Sequence, residues 1–258
     1  MEWYVWVLTI LGGFAAGFIN TLAGSGSLIT LPILIFLGLP ANVANGTNRV
    51  GALLQTIVSV ITFKRRGNFD LKGSQWLIFP AVLGSIPGAL IAVDLNEEVM
   101  TYTIGSVMLL MLAPVMTNRS KWLRETSGYS NIGKGWIVFV FSMLGAYGGF
   151  IQTGVGIFLL SAMVLIANYS VNHSNVLKNV IVLCYTLPTI IIFIVNGQVN
   201  WVFGLLMASG QMLGSWIAAR FAMEHEGANS WVRILLVLMI VVSAIELFGL
   251  RGMIIDLF

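Results

Sequence analysis

The sequence predicts an all-α polytopic membrane protein built from two inverted repeats of about five helical elements, each with a short or broken helix. Three observations predict it. Of 258 residues, 58% are hydrophobic and only 9% charged, with a mean hydropathy of +0.93. A soluble domain carries about a quarter charged residues, so a bilayer must take the place of water around this chain. The apolar runs are long and continuous rather than alternating, which suits spanning helices and not barrel strands. Motifs of the first half also recur, in the same order, in the second.

Ten apolar segments are expected, near 3–23, 27–39, 43–63, 74–93, 98–117, 134–153, 155–168, 175–196, 200–219 and 231–249. A span takes about 20 residues, and most reach it. The first opens on Trp3, Tyr4 and Trp6, an interfacial aromatic belt. It has no basic leader region, so no cleaved signal peptide is expected. It runs into Asn20-Thr21-Leu22-Ala23-Gly24-Ser25-Gly26-Ser27, where glycines let the backbone leave helical geometry. The second segment, 28–39, is too short to span and reads as a half-helix, with Ser25 or Ser27 as its cap. The third opens on Ala44-Asn45-Gly46-Thr47-Asn48-Arg49. The fourth carries Gly84 and Gly88, the small-residue spacing of a close helix crossing. An acidic stretch at 94–98 leads into the fifth. The sixth ends in Gln152-Thr153-Gly154-Val155-Gly156, and the seventh, 155–167, is again short. The eighth carries Asn175, Lys178 and Asn179, and the ninth Gly210 and Gly214. Pro32, Pro80, Pro87, Pro114 and Pro188 lie within apolar segments, where each removes a backbone donor and kinks or hinges its helix.

Basic residues set the orientation. Lys64, Arg65, Arg66 and Lys72 follow the third segment, Arg119, Lys121, Arg124 and Lys134 the fifth, and Arg220 and Arg233 flank the loop after the ninth. Placing these loops in the cytoplasm puts both termini outside, with Arg251 dissenting. The chain then divides into an N-terminal repeat (1–118), a cytoplasmic connecting loop (119–133) and a C-terminal repeat (134–258). Five elements per half is odd, so the halves have opposite orientation. Phe18-Ile19-Asn20-Thr21 and Gly24-Ser25-Gly26 are matched by Phe150-Ile151-Gln152-Thr153 and Gly154-Val155-Gly156. Asn45 with Asn48-Arg49 is matched by Asn175 with Lys178-Asn179, and the Gly84 stretch by the Gly210 stretch. An inverted repeat with a broken segment at the same place in each half is a transporter pattern, with the site expected near the midplane.

The chemistry follows from these breaks. A half-helix N-terminus offers N–H groups and a positive dipole end, which suit an anion. Close helix packing is the alternative use of the same glycines. Asn20, Thr21, Ser25, Gly26, Gln152, Thr153 and Gly154 are the candidate neutral contacts. Asn45, Asn48, Arg49, Asn175 and Lys178 are the candidates on the following helices. A cation inside a membrane helix is costly and usually functional; snorkelling to the interface is the other reading for Arg49 and Lys178. Glu246, near the outer end of the last segment, offers no carboxylate relay. His173 and His225 are expected in solvated loops. Cys184 lies in an apolar run, so neither a disulfide framework nor a thiolate metal site is expected.

The glycine- and serine-rich break, the Leu31-Pro32 short helix and the Ala44-Asn45-Gly46-Thr47-Asn48 start of the next resemble the TauE/SafE family of sulfite exporters and related anion permeases. The resemblance covers nearly the whole chain, more strongly in the first half. It implies export of a small oxyanion or organosulfur anion, sulfite first, across a bacterial inner membrane. A passive anion channel is the alternative. A membrane-embedded enzyme would need paired acids, a metal cluster or a nucleophile with its base, and none stands in the sequence. The expected partners are a small anionic substrate, the lipid bilayer and a coupling ion, proton or sodium, with no nucleic acid and no cofactor.

Overall fold

The computed structural model describes residues 3–67, 69, 71, 73–116 and 132–221, together with 237, 240 and 241. Most of the expected tenth segment and of the connecting loop, with Lys72, His225, Arg233, Glu246 and Arg251, lies outside the described residues. What is described is helical, with no strand among those residues.

α1 spans Trp3–Ala23 and stops at Gly24, whose φ of 77° places it in the left-handed region, the usual device for ending a helix. α2 (Ser27–Phe36) is ten residues long. α3 (Ala41–Arg65) starts after Pro40 and ends on Lys64 and Arg65, cations that complement the negative end of its dipole. A 3-10 turn at Gln75–Leu77 leads into α4 (Ile78–Asp94). α5 (Glu97–Met116) has two glutamates in its first turn, and the Asn96 side chain accepts from the Val99 N–H at 2.8 Å. α6 is Lys134–Phe150. α7 (Val155–Ser161) runs on as a π-helical turn, Ala162–Ile166. α8 (Val171–Val195) is capped by Ser170, which accepts from the His173 N–H. α9 is Trp201–Phe221.

Five described helical stretches are long and apolar enough to cross a membrane, at 5–22, 75–94, 97–116, 171–195 and 201–220, and 27–36 and 155–166 are the short apolar ones. The solvent-facing surface is apolar: Phe79, Leu83 and Ile91 of α4, Leu110 of α5, Phe139 and Met143 of α6, and Ile191 and Val195 of α8 are exposed. The interior holds the polar residues, among them Thr21, Ser27, Asn48, Gln55, Ser59, Gln152, Thr186 and Gln211. An apolar outside and a polar inside are what a lipid solvent selects.

The most extensive packing is of α1 on α9, α4 on α6, and α3 on α9; α3 and α8 also pack together, and α4 on α8. The glycines make these contacts close. A Cβ at Gly84 or Gly88 would stand 2.0 Å from the carbonyl oxygens of Ser142 and Ala146, and one at Gly210 or Gly214 2.0 Å from those of Ile10 and Phe14. The close crossings expected at both glycine pairs are present. α2 buries Leu28, Leu31 and Leu34 in a cluster with Met100, Ile104 and Met108 of α5. α7 buries Leu159 in a second cluster with Phe141 of α6 and Ile181 of α8.

Candidate functional site: two crossed helix breaks

The two breaks meet. Gly24 and Gly156 face each other so closely that a Cβ on Gly24 would lie 2.4 Å from the Gly156 Cα, and one on Gly156 2.3 Å from the Gly24 Cα. The Gly156 N–H donates to the Gly24 carbonyl at 3.1 Å. A first-turn N–H of α7 is thus engaged with the opposite break. In the second break both Gln152 (φ 59°) and Gly154 (φ 70°) are left-handed. That conformation is uncommon for a residue with a Cβ.

Neither serine caps α2 as expected. The N-cap is Gly26, without a side-chain bond. The Gly26 N–H instead donates to Asn20 Oδ1 at 3.3 Å. Asn48 does the holding from α3: its amide nitrogen donates to Ser27 Oγ at 3.2 Å, and its Oδ1 accepts from Thr30 Oγ1 at 2.5 Å. The Ser25 hydroxyl is buried with no hydrogen-bond partner.

Neither cation snorkels. Arg49 is 0% exposed and Lys178 2%. Lys178 Nζ donates to the carbonyls of Asn20 and Thr21, at the end of α1, both at 3.0 Å, and to Asn175 Oδ1 at 2.9 Å. Arg49 donates to the carbonyls of Gly148 (3.2 Å), Gly149 (2.5 Å) and Phe150 (3.3 Å), at the end of α6, and to Thr189 Oγ1 at 3.0 Å. Asn45 also donates to the Phe150 carbonyl, at 2.8 Å. Each cation therefore sits at the negative end of the broken helix from the other half, where it is favoured. Arg49 also lies over the Phe193 ring, 4.3 Å from its centroid.

A cavity of about 10 Å³ lies between the breaks, lined by Asn20, Gly24, Ser27, Thr56, Gln152, Val155, Gly156, Lys178, Asn179 and Val182. That is about the space one water needs. Of the twelve candidates read from the sequence, Asn20, Gln152 and Lys178 line it. The other nine do not line the cavity. Among them, Thr21 pairs with Ser59 at 3.2 Å and Thr153 donates back to the Ile151 carbonyl at 3.3 Å. Gly154 faces the Met111 side chain. Thr56 was missed. It stands two turns beyond Asn48 on the same face of α3, a spacing that pointed to it. Tyr185 and Thr186, which hold Gln152, carried no signal. His173 is not a free loop residue: its ring nitrogen pairs with Ser74 Oγ at 3.0 Å and it stacks on Tyr169. Among the described residues no carboxylate is buried, Asp94, Glu97 and Glu98 all being exposed.

The profile of a family described as "Sulfite exporter TauE/SafE" matches residues 9–247. The chain belongs to the TauE/SafE family. Its relatives are bacterial proteins named as probable membrane transporters. One from Sinorhizobium sp, ORF9, is 27% identical over 257 residues, covering 96% of this chain and 94% of the relative. One from Haemophilus influenzae is 27% identical over 216 residues, covering 82% of each. Escherichia coli YfcA is 26% identical over 210 residues, covering 81% of this chain and 77% of the relative. No solved structure gives a significant match. This TauE/SafE member is a multi-pass membrane transporter and not an enzyme.

Proposed function

We propose that this transporter exports a small oxyanion or organosulfur anion, sulfite first, by alternating access around the cavity between the crossed breaks, in a bacterial inner membrane. The observation that carries the reading is a small polar cavity between the two breaks, lined by the buried cation Lys178 together with Asn20, Ser27, Thr56, Gln152 and Asn179. A cation and neutral hydrogen-bonding side chains in a low-dielectric interior suit an anion. Asn20 and Ser27 supply neutral polar contacts on one side, Gln152 and Asn179 on the other. Lys178 and Arg49 shape the potential while holding the helix ends.

Rocking of two repeats against each other fits the reciprocal wiring, since the cation of each half grips the break of the other. The contacts of α1–α4 with α6–α9 also exchange among themselves when the two sets are swapped: α1 on α9 becomes α6 on α4, and α3 on α9 becomes α8 on α4. This supports repeats at 1–118 and 134–258. A cavity with room for one water passes no oxyanion unless the helices move, which favours a carrier over a fixed channel.

The test is efflux of labelled sulfite from proteoliposomes under imposed pH and sodium gradients, with competing anions. The expected result is saturable efflux driven uphill by one of the two gradients and inhibited by other oxyanions. Flux that only runs downhill supports the channel, and no anion flux at all overturns the proposal.

A further inference from the structure

Gln152 is the one cavity-lining side chain with a buried oxygen that has no hydrogen-bond partner. Its orientation is set by its neighbours. The amide nitrogen donates to Thr186 Oγ1 at 3.2 Å and to Tyr185 Oη at 3.4 Å. The Thr186 hydroxyl proton is already committed to the Val182 carbonyl, at 2.6 Å, so toward Gln152 this oxygen can only accept. The amide therefore cannot be flipped without setting two acceptors against each other. Tyr185 and Thr186 do not line the cavity, so the oxygen is the end of the amide left to it. The residue holds this pose with φ at 59°, and uncommon backbone of this kind clusters at ligand clamps.

The nearby cation does not supply the missing donor. Lys178 donates to the Asn20 and Thr21 carbonyls and to Asn175 Oδ1, and Gln152 Oε1 receives no hydrogen bond from it. The cavity thus combines positive potential with an unpaired acceptor. A fully deprotonated oxyanion would set its own oxygen against Gln152 Oε1. A monoanion that still carries a hydrogen-bond donor satisfies both.

We propose that Gln152 makes the transporter selective for protonated monoanions, hydrogensulfite rather than the sulfite dianion, by accepting a hydrogen bond from the substrate. This rests on the anion-site reading above and specifies which ionisation state it takes.

The experiment is anion binding to the purified protein by calorimetry, with three probes: sulfur(IV) below and above the ionisation of hydrogensulfite, methanesulfonate as a monoanion with no O–H, and sulfate as a dianion. The dissociation constant for total sulfur(IV) is expected to rise about tenfold per pH unit above that ionisation. Methanesulfonate should bind at least about tenfold more weakly than hydrogensulfite, because it leaves a buried acceptor unpaired. Gln152→Asn withdraws the amide while tolerating left-handed backbone, and it should bring methanesulfonate and hydrogensulfite within about twofold of each other. Gln152→Met does the same if it folds, as judged by its elution profile. Comparable binding of all three probes to the wild type overturns the selectivity alone and means a water meets Gln152. Binding of none overturns the anion site together with it.

Discussion

At the scale of single residues, the two buried cations do structural work before any substrate arrives. Lys178 and Arg49 stand out in the sequence as charges within apolar helices, where a substrate-facing role is favoured over snorkelling while contact and steering stay unseparated. Burial excludes snorkelling, and the hydrogen bonds place each on the carbonyl end of a broken helix. Removing one takes the charged donor from buried carbonyls, at about 1–3 kcal/mol for each left unpaired; those of Phe150 and Asn20 keep Asn45 and the Gly24 N–H. Lys178→Met is therefore expected to lower the melting temperature in detergent and to abolish transport, whereas a residue used only for steering would lose transport with its melting point intact. Arg49→Lys should be intermediate, because a three-proton ammonium replaces a planar fork that spans four acceptors. The pairing of Asn48-Arg49 with Lys178-Asn179 by sequence is also one residue out of step with these roles. Arg49 is four residues from Asn45 and Lys178 three from Asn175, and both spacings share a helix face.

At the scale of elements, the glycines divide by what surrounds them. Gly26, a candidate contact from the sequence, packs on α1: a Cβ there would lie 2.4 Å from the Ala16 carbonyl oxygen. Gly24 and Gly156 are held by mutual contact. Gly24→Ala and Gly156→Ala should each lower thermal stability and transport in parallel. Gly135→Ala, where nothing lies within 4 Å, should change neither. Retained transport in a stable Gly156→Ala protein would show that the breaks need not touch. Segment limits were legible to within a few residues because spans are set by apolar length: the first was expected at 3–23 and is Trp3–Ala23. Packing partners were not legible, since a Gly-xxx-Gly pair announces a close neighbour without naming it.

At the scale of the whole molecule, orientation rests on the basic loops. Arg66 and Glu97 are both exposed and give accessible positions at the two ends. In a Cys184→Ala background, a cysteine at 97 should react with an impermeant thiol reagent added outside intact cells, and one at 66 only after lysis. Labelling of position 66 from outside would reverse the proposed orientation.

Composition alone determined the solvent of this protein: so little charge in so long a chain leaves lipid as its surroundings. Local pattern alone determined where helices run and break, because apolar length and glycine act within a few residues. The tertiary structure decided which break meets which, that Lys178 and Arg49 cap helices from the opposite half, and that Gln152, a cavity-lining residue, keeps a buried oxygen without a hydrogen-bond partner. The cation contacts join groups 99 and 157 residues apart in the chain, and the neighbours that orient Gln152 are 33 and 34 residues away; a one-dimensional pattern carries no record of distance across the fold.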